Sequence, residues 1–234
     1  MKKVAILLVA FLLILITISA VFITFYLDST VKKVVETVGP DIAKVKITLG
    51  DVSLSPLSGK GEITNLVVGN PQGFEAPDLL KAEKISVSIQ PSSLLSKKVV
   101  VRSILIQKPV ITFEGSLDGN NLSKLEENIN QSLGVSSSEK RKLQVDELVI
   151  QGARLNVSIS PLGGKGVTAP LPDIHLTNLG TGPDGITPGQ LAQEITRSVL
   201  KDSTQAVTSM VGNLGEEATK GIEGAVKGLG GLFK

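Results

Sequence analysis

The one histidine of the sequence is His175, inside Pro172-Asp173-Ile174-His175-Leu176. On a strand, Asp173 and His175 share the face opposite Ile174 and Leu176. One histidine and one aspartate do not complete a zinc set, which takes about three or four protein ligands. A catalytic serine needs a strained elbow, and no G-x-S-x-G occurs. Paired carboxylates at Glu126-Glu127, Asp146-Glu147 and Glu216-Glu217 lie in alternating or helical stretches, where a solvated face accounts for them. The glycines Gly59, Gly61, Gly163, Gly164 and Gly166 form neither a dinucleotide fingerprint nor a phosphate loop. The expectation is a non-enzymatic protein with no catalytic residue, no metal and no cofactor.

Any role must then come from the elements themselves. From Ala43 the apolar period becomes two: Val45, Ile47 and Leu49 alternate with Lys44, Lys46 and Thr48. Strand patterns recur at Gly61–Val68, Lys84–Gln90, Val99–Gln107, Val110–Glu114, Lys142–Ile150, Ala153–Ser160 and Pro172–Asn178. Proline and glycine clusters punctuate them. Asn120–Gly134 reads as a short helix, with Leu122, Leu125, Ile129 and Leu133 at helical spacing. Val31, Val34, Val35 and Val38 mark another helix, which Gly39-Pro40 should stop. The segments Val52–Gly61 and Val157–Gly166 resemble each other, each an alternating strand running into a Pro-Leu-x-Gly-Lys-Gly turn. Their turn residues are Pro56, Gly59 and Gly61, and Pro161, Gly164 and Gly166.

The run Val4–Leu27 carries no charge and follows Lys2 and Lys3. At about 1.5 Å per helical residue it is long enough for a hydrocarbon core of roughly 30 Å. The expected organisation is a transmembrane anchor at 1–27, a juxtamembrane helix at 28–40, a β domain at 41–186 and an amphipathic helical region at 187–234. The N-terminal lysines favour a cytoplasmic N-terminus, with the bulk of the chain across the membrane.

Lysine and arginine total 24 against 22 acidic residues. Setting Lys2 and Lys3 aside, the remainder is balanced, and no basic patch with aromatics points to nucleic acid. Zero cysteines exclude disulfide staples and thiolate metal sites. With six Phe, one Tyr and no Trp, the core is built from Val, Ile and Leu. In the last region Thr187 is a helix cap and Pro188 suits the first turn. Leu191, Ile195, Val199, Ala206 and Met210 then form an apolar stripe that suits either the sheet or a membrane surface.

An apolar sheet face must be covered by helices, a second sheet or a guest. Few helices are evident, so a face open to acyl chains is expected, lined by Val45, Ile47, Leu49, Ile85, Val87, Ile89, Ile104 and Ile106. Ser55–Gly61, Asn65–Phe74, Ile104–Glu114 with Asn121–Leu125, and Leu171–Gly180 together resemble the AsmA-like family of bacterial envelope proteins. That resemblance implies an inner-membrane anchor, a periplasmic β-rich domain and kinship with groove-shaped phospholipid conduits. The fold expected is mainly β with flanking helices, a twisted antiparallel groove-like or partly open sheet behind a transmembrane helix. Expected partners are membrane lipids, other envelope proteins or self. The competing role is a structural or scaffold protein that binds a protein partner in an envelope complex.

Overall fold

A computed structural model describes residues 28–116, 119–133, 142–159 and 166–213. Eleven strands make one open sheet: β1 (Ile47–Thr48), β2 (Val52–Leu54), β3 (Lys60–Gly69), β4 (Asp78–Ile89), β5 (Lys98–Gln107), β6 (Val110–Ser116), β7 (Gly119–Asn120), β8 (Lys142–Gln151), β9 (Arg154–Ile159), β10 (Val167–Pro170) and β11 (Ile174–Leu179). Among the described residues three α-helices accompany these strands: α1 (28–43), α2 (Asn121–Leu133) and α3 (Pro188–Asn213).

The sheet grows as a ribbon of long, bent rungs. β1 and β2 pair with β3, and β3 pairs with β4. β4 then meets β6 at its start and β5 at its end. The bent pair β5–β6 lies beside β8–β9, and β11 and β10 close the far side. Even the corners are laddered, because Lys108 N donates to Gln151 O at 2.7 Å and Arg154 N donates to Pro109 O at 2.9 Å. Lys108 and Gly152 turn these corners at φ 48° and 64°.

Register builds the core. Val52, Ile63, Ile85, Ile106, Ile150 and Ile174 stand opposite one another across successive strands. The neighbouring row is Leu54, Gly61, Val87, Ile104, Leu148 and Leu176. β-Branched and aliphatic pairs of this kind are what stabilise a pleated surface. Gly61 stands in its row without a side chain because a Cβ there would lie 2.1 Å from Leu54 Cδ2.

The mainly β, antiparallel expectation is corrected to a mixed α/β fold with an open, non-barrel sheet. β5 with β8 and β6 with β9 are parallel ladders. Parallel strands need a crossover of a dozen or so residues, and α2 lies on that path between β6 and β8. The helices also cover the sheet rather than flank it. Leu122, Leu125 and Ile129 of α2, and Val199, Leu200 and Val207 of α3, are buried in one cluster with the sheet residues. Leu191, Ala192, Ile195, Ala206 and Met210 pack against that cluster, so the apolar stripe of α3 faces the core. A reciprocal capping box starts this helix: Gln190 N donates to Thr187 Oγ1 at 3.1 Å, and Thr187 N donates to Gln190 Oε1 at 2.8 Å.

One local expectation is also corrected. α1 passes through Gly39-Pro40 and ends at Lys44, which takes φ 55° while its N–H donates to Pro40 O at 2.9 Å. Burial of Ile42 and Ala43 in the core explains the extra turn. The bounds of the strand-like stretch that follows the second turn motif are set by β10, which is short and mostly exposed.

None of the helices among the described residues is long and apolar enough to cross a membrane. This corrects the single-pass, inner-membrane, periplasmic topology: no described element carries it. The run Val4–Leu27 lies outside the described residues, as do Pro161 and Gly164 of the second turn motif and the segment 214–234.

Ser203 of α3 is fully buried, and its hydroxyl has no hydrogen-bond partner among the described residues. An unmet buried hydroxyl costs about 1–3 kcal/mol. Ser203→Ala should therefore leave the chain as stable or stabilise it by about 1 kcal/mol in urea melts. A clear loss of stability would show that the hydroxyl is bonded after all.

Candidate functional site: a buried carboxylate latch and an unsealed sheet edge

β6 runs Val110–Ser116, and alternation along it turns Phe113 and Glu114 to opposite faces. Both are buried, so this strand is covered on both sides. Glu114 Oε1 accepts from Glu75 N at 2.6 Å, and Oε2 accepts from Ala76 N at 2.8 Å and Asn70 Nδ2 at 2.9 Å. Asn121, at the start of α2, closes the ring. Its Oδ1 accepts from Glu114 N at 2.9 Å, and its Nδ2 donates to Asn70 Oδ1 at 2.9 Å and Thr112 O at 2.7 Å. One carboxylate thus pins the 70–77 loop to β6 and to the first turn of α2.

The arrangement works as a latch: three protein donors converge on one carboxylate and hold the loop to the strand. Among the described residues no group of three or more His, Asp or Glu side chains could hold a metal ion. The sequence reading missed Asn70, Glu114 and Asn121 as a set. The available signal was a carboxylate ending a buried strand, with Asn-rich segments on either side.

His175 is exposed on β11 between buried Ile174 and half-buried Leu176. Asp173, its neighbour on that face, accepts from Gly152 N at 2.8 Å and fixes a corner.

The residues expected to line an acyl-chain groove are instead covered by the chain itself. Val45, Ile85 and Ile106 are buried in the main cluster, and Ile47, Val87, Ile89 and Ile104 pack against it. Leu49 is buried outside that cluster. The space where α1, α2 and α3 meet, lined by Ile42, Leu133, Thr187 and Gln193, is about 160 Å³. A more open hollow beside the end of α1, lined by Glu36, Pro40, Lys44, Val45, Ile47 and Thr48, is about 500 Å³, and small-molecule sites run to roughly 300–1,000 Å³. The lipid-cradle reading is corrected: seven of the eight residues belong to or pack against one core cluster that also holds buried residues of α2 and α3.

Of the first turn motif, Pro56 and Gly59 shape the β2–β3 hairpin. Gly59 has φ 72°, and a Cβ there would sit 2.0 Å from Ile89 O. Gly166 precedes β10, and a Cβ there would make only an ordinary contact with Val157 O at 3.6 Å. The related sequences differ in register, since Val52 faces Ile63 whereas Val157 faces Val167, one residue short of the matching position.

The two lateral edges of the sheet are unlike. At the β1–β2 edge, α1 lays a stripe of side chains four residues apart along the strand backbone. Asp28 Oδ1 accepts from Leu54 N at 2.7 Å, Glu36 Oε1 accepts from Leu49 N at 2.9 Å, and Lys32 Nζ donates to Gly50 O at 2.6 Å. One of these groups lies in β2 and two in the link from β1, so α1 occupies three backbone groups along this edge. At the opposite edge β11 pairs only with β8, and β10 only with β9. β11 carries no Asp, Glu, Lys or Arg along its length, the charges that commonly guard such an edge. Pro170 and Pro172 bracket the corner, and Asn178 at φ 58° bounds the straight part of β11 to Ile174–Thr177.

No family model matches the chain, and no curated protein matches it closely enough to count as a relative.

Proposed function

We propose that the chain is a non-catalytic protein-binding scaffold that receives an extended strand along its β10–β11 edge. The observation that carries this reading is the contrast between the edges, one closed by Asp28, Lys32 and Glu36, the other leaving its outer backbone groups unpaired among the described residues. Strand addition takes its affinity from main-chain hydrogen bonds and its selectivity from alternate side chains. The three-donor Glu114 latch supports a mechanical role, since it ties β6, α2 and the 70–77 loop together. The segments that resemble AsmA-like proteins fit this proposal as sheet-building parts: Asn70, Glu114 and Asn121 all fall within them.

Selection of displayed extended peptides against the purified chain, followed by amide-exchange mapping, tests the reading. The expected footprint is new protection confined to Val167–Ala169 and Ile174–Thr177. Binders that protect other segments, or no binders at all, would reject it.

A further inference from the structure

Resting on that reading of the edge, we infer that the strand it receives is β11 of a second copy, in an antiparallel pair centred on His175. Residues directly opposite in an antiparallel pair point to the same face. Apolar residues of β11 must therefore meet apolar residues of the partner. A pair centred on Leu176 would set Ile174 against Asn178. A pair centred on His175 sets Ile174 against Leu176 twice over. The row that ends Ile106, Ile150, Ile174 then continues into Leu176 and Leu148 of the second copy, and the row that ends Ile104, Leu148, Leu176 continues into Ile174 and Ile150. The apolar rows of the core would run unbroken through the dyad.

Charge and closure point the same way. No charged side chain lies within β11, so the pair opposes no like charges. With side chains of α1 bonded along the β1–β2 edge, the edge that a second copy offers among the described residues is its own β10–β11, and β11 set against β11 is an isologous contact that closes at two.

The absence of cysteine makes the test direct. His175 is exposed and lies on the proposed axis, so His175→Cys introduces a lone thiol whose Cβ faces its twin at about 4.5–5.5 Å. Under mild oxidation the full chain should form a disulfide-linked dimer, whereas a control cysteine at exposed Leu57, in the β2–β3 turn, should not. Sedimentation equilibrium of the unmodified chain should show a monomer–dimer equilibrium. His175→Lys, which opposes two ammonium groups across the axis, should weaken it at least about fivefold. A dimer that ignores His175→Lys and fails to cross-link through Cys at 175 overturns the inference. If the chain stays monomeric, a synthetic Pro172–Asn178 peptide separates the two failures. Peptide binding with protection of β11 overturns self-pairing and leaves the edge reading standing, while no binding overturns both.

Discussion

Glu114→Ala is expected to destabilise the fold by about 3–5 kcal/mol, because three donors lose their acceptor at a buried position. Against a typical domain stability of roughly 5–15 kcal/mol this is a large fraction. Glu114→Gln should recover only part of it. With the amide oxygen at the Oε2 position, its NH2 meets the Glu75 N–H, and two donors face each other. The measurement is a urea melt of each variant, read alongside amide exchange over 70–77. Exchange in that loop should rise sharply in both variants. A loss under about 1 kcal/mol for alanine, with the loop still protected, would mean that the carboxylate does not hold it.

The combined replacement Asp28→Ala, Lys32→Ala and Glu36→Ala should change assembly more than stability. Each bond is part-buried or near the surface, and together their loss is expected to cost on the order of 2–4 kcal/mol. Its larger effect follows from geometry. Once the β1–β2 backbone is bare, both lateral edges accept strands, and growth no longer closes at two. Light scattering should report particles that lengthen with concentration, where the unaltered chain gives a discrete species. If the triple variant keeps the oligomeric state of the parent, α1 is not what closes that edge.

Much of the strand placement could be read from the sequence, because Val, Ile and Leu alternate at Lys84–Gln90 and concentrate between turn signals at Gly61–Val68 and Val99–Gln107. The observed β3, β4 and β5 contain or nearly contain those spans. Direction was harder. Alternation is the same in parallel and antiparallel ladders, and the helix at Asn121–Leu133 was the signal for a crossover that the alternation masked. The covering of the sheet failed for a related reason. Ile85 or Ile104 would show the same pattern beneath a helix or beneath a lipid, and only the positions of α2 and α3 separate the two.

The latch and the seal were invisible for a different cause. Asn70 lies far in sequence from Glu114 and Asn121, and each is ordinary on its own. Asp28, Lys32 and Glu36 share a helical face, but attention to Val31, Val34 and Val35 assigned that helix by its apolar side. A polar spacing of four reads as a solvated face, because the distant backbone groups that such residues satisfy are set by the fold and not by neighbours in the chain.

The two parallel ladders carry a consequence for synthesis. β5 and β6 are complete once residue 116 has emerged from a ribosome, yet their neighbours β8 and β9 end at Gln151 and Ile159. Throughout that interval a half-finished sheet presents a long, bare apolar margin to its surroundings. Non-local pairing of this kind is slow, and unpaired margins invite misassembly. The nascent chain is therefore most vulnerable between those two points, and translation speed across 117–159 should govern how much of it survives to fold.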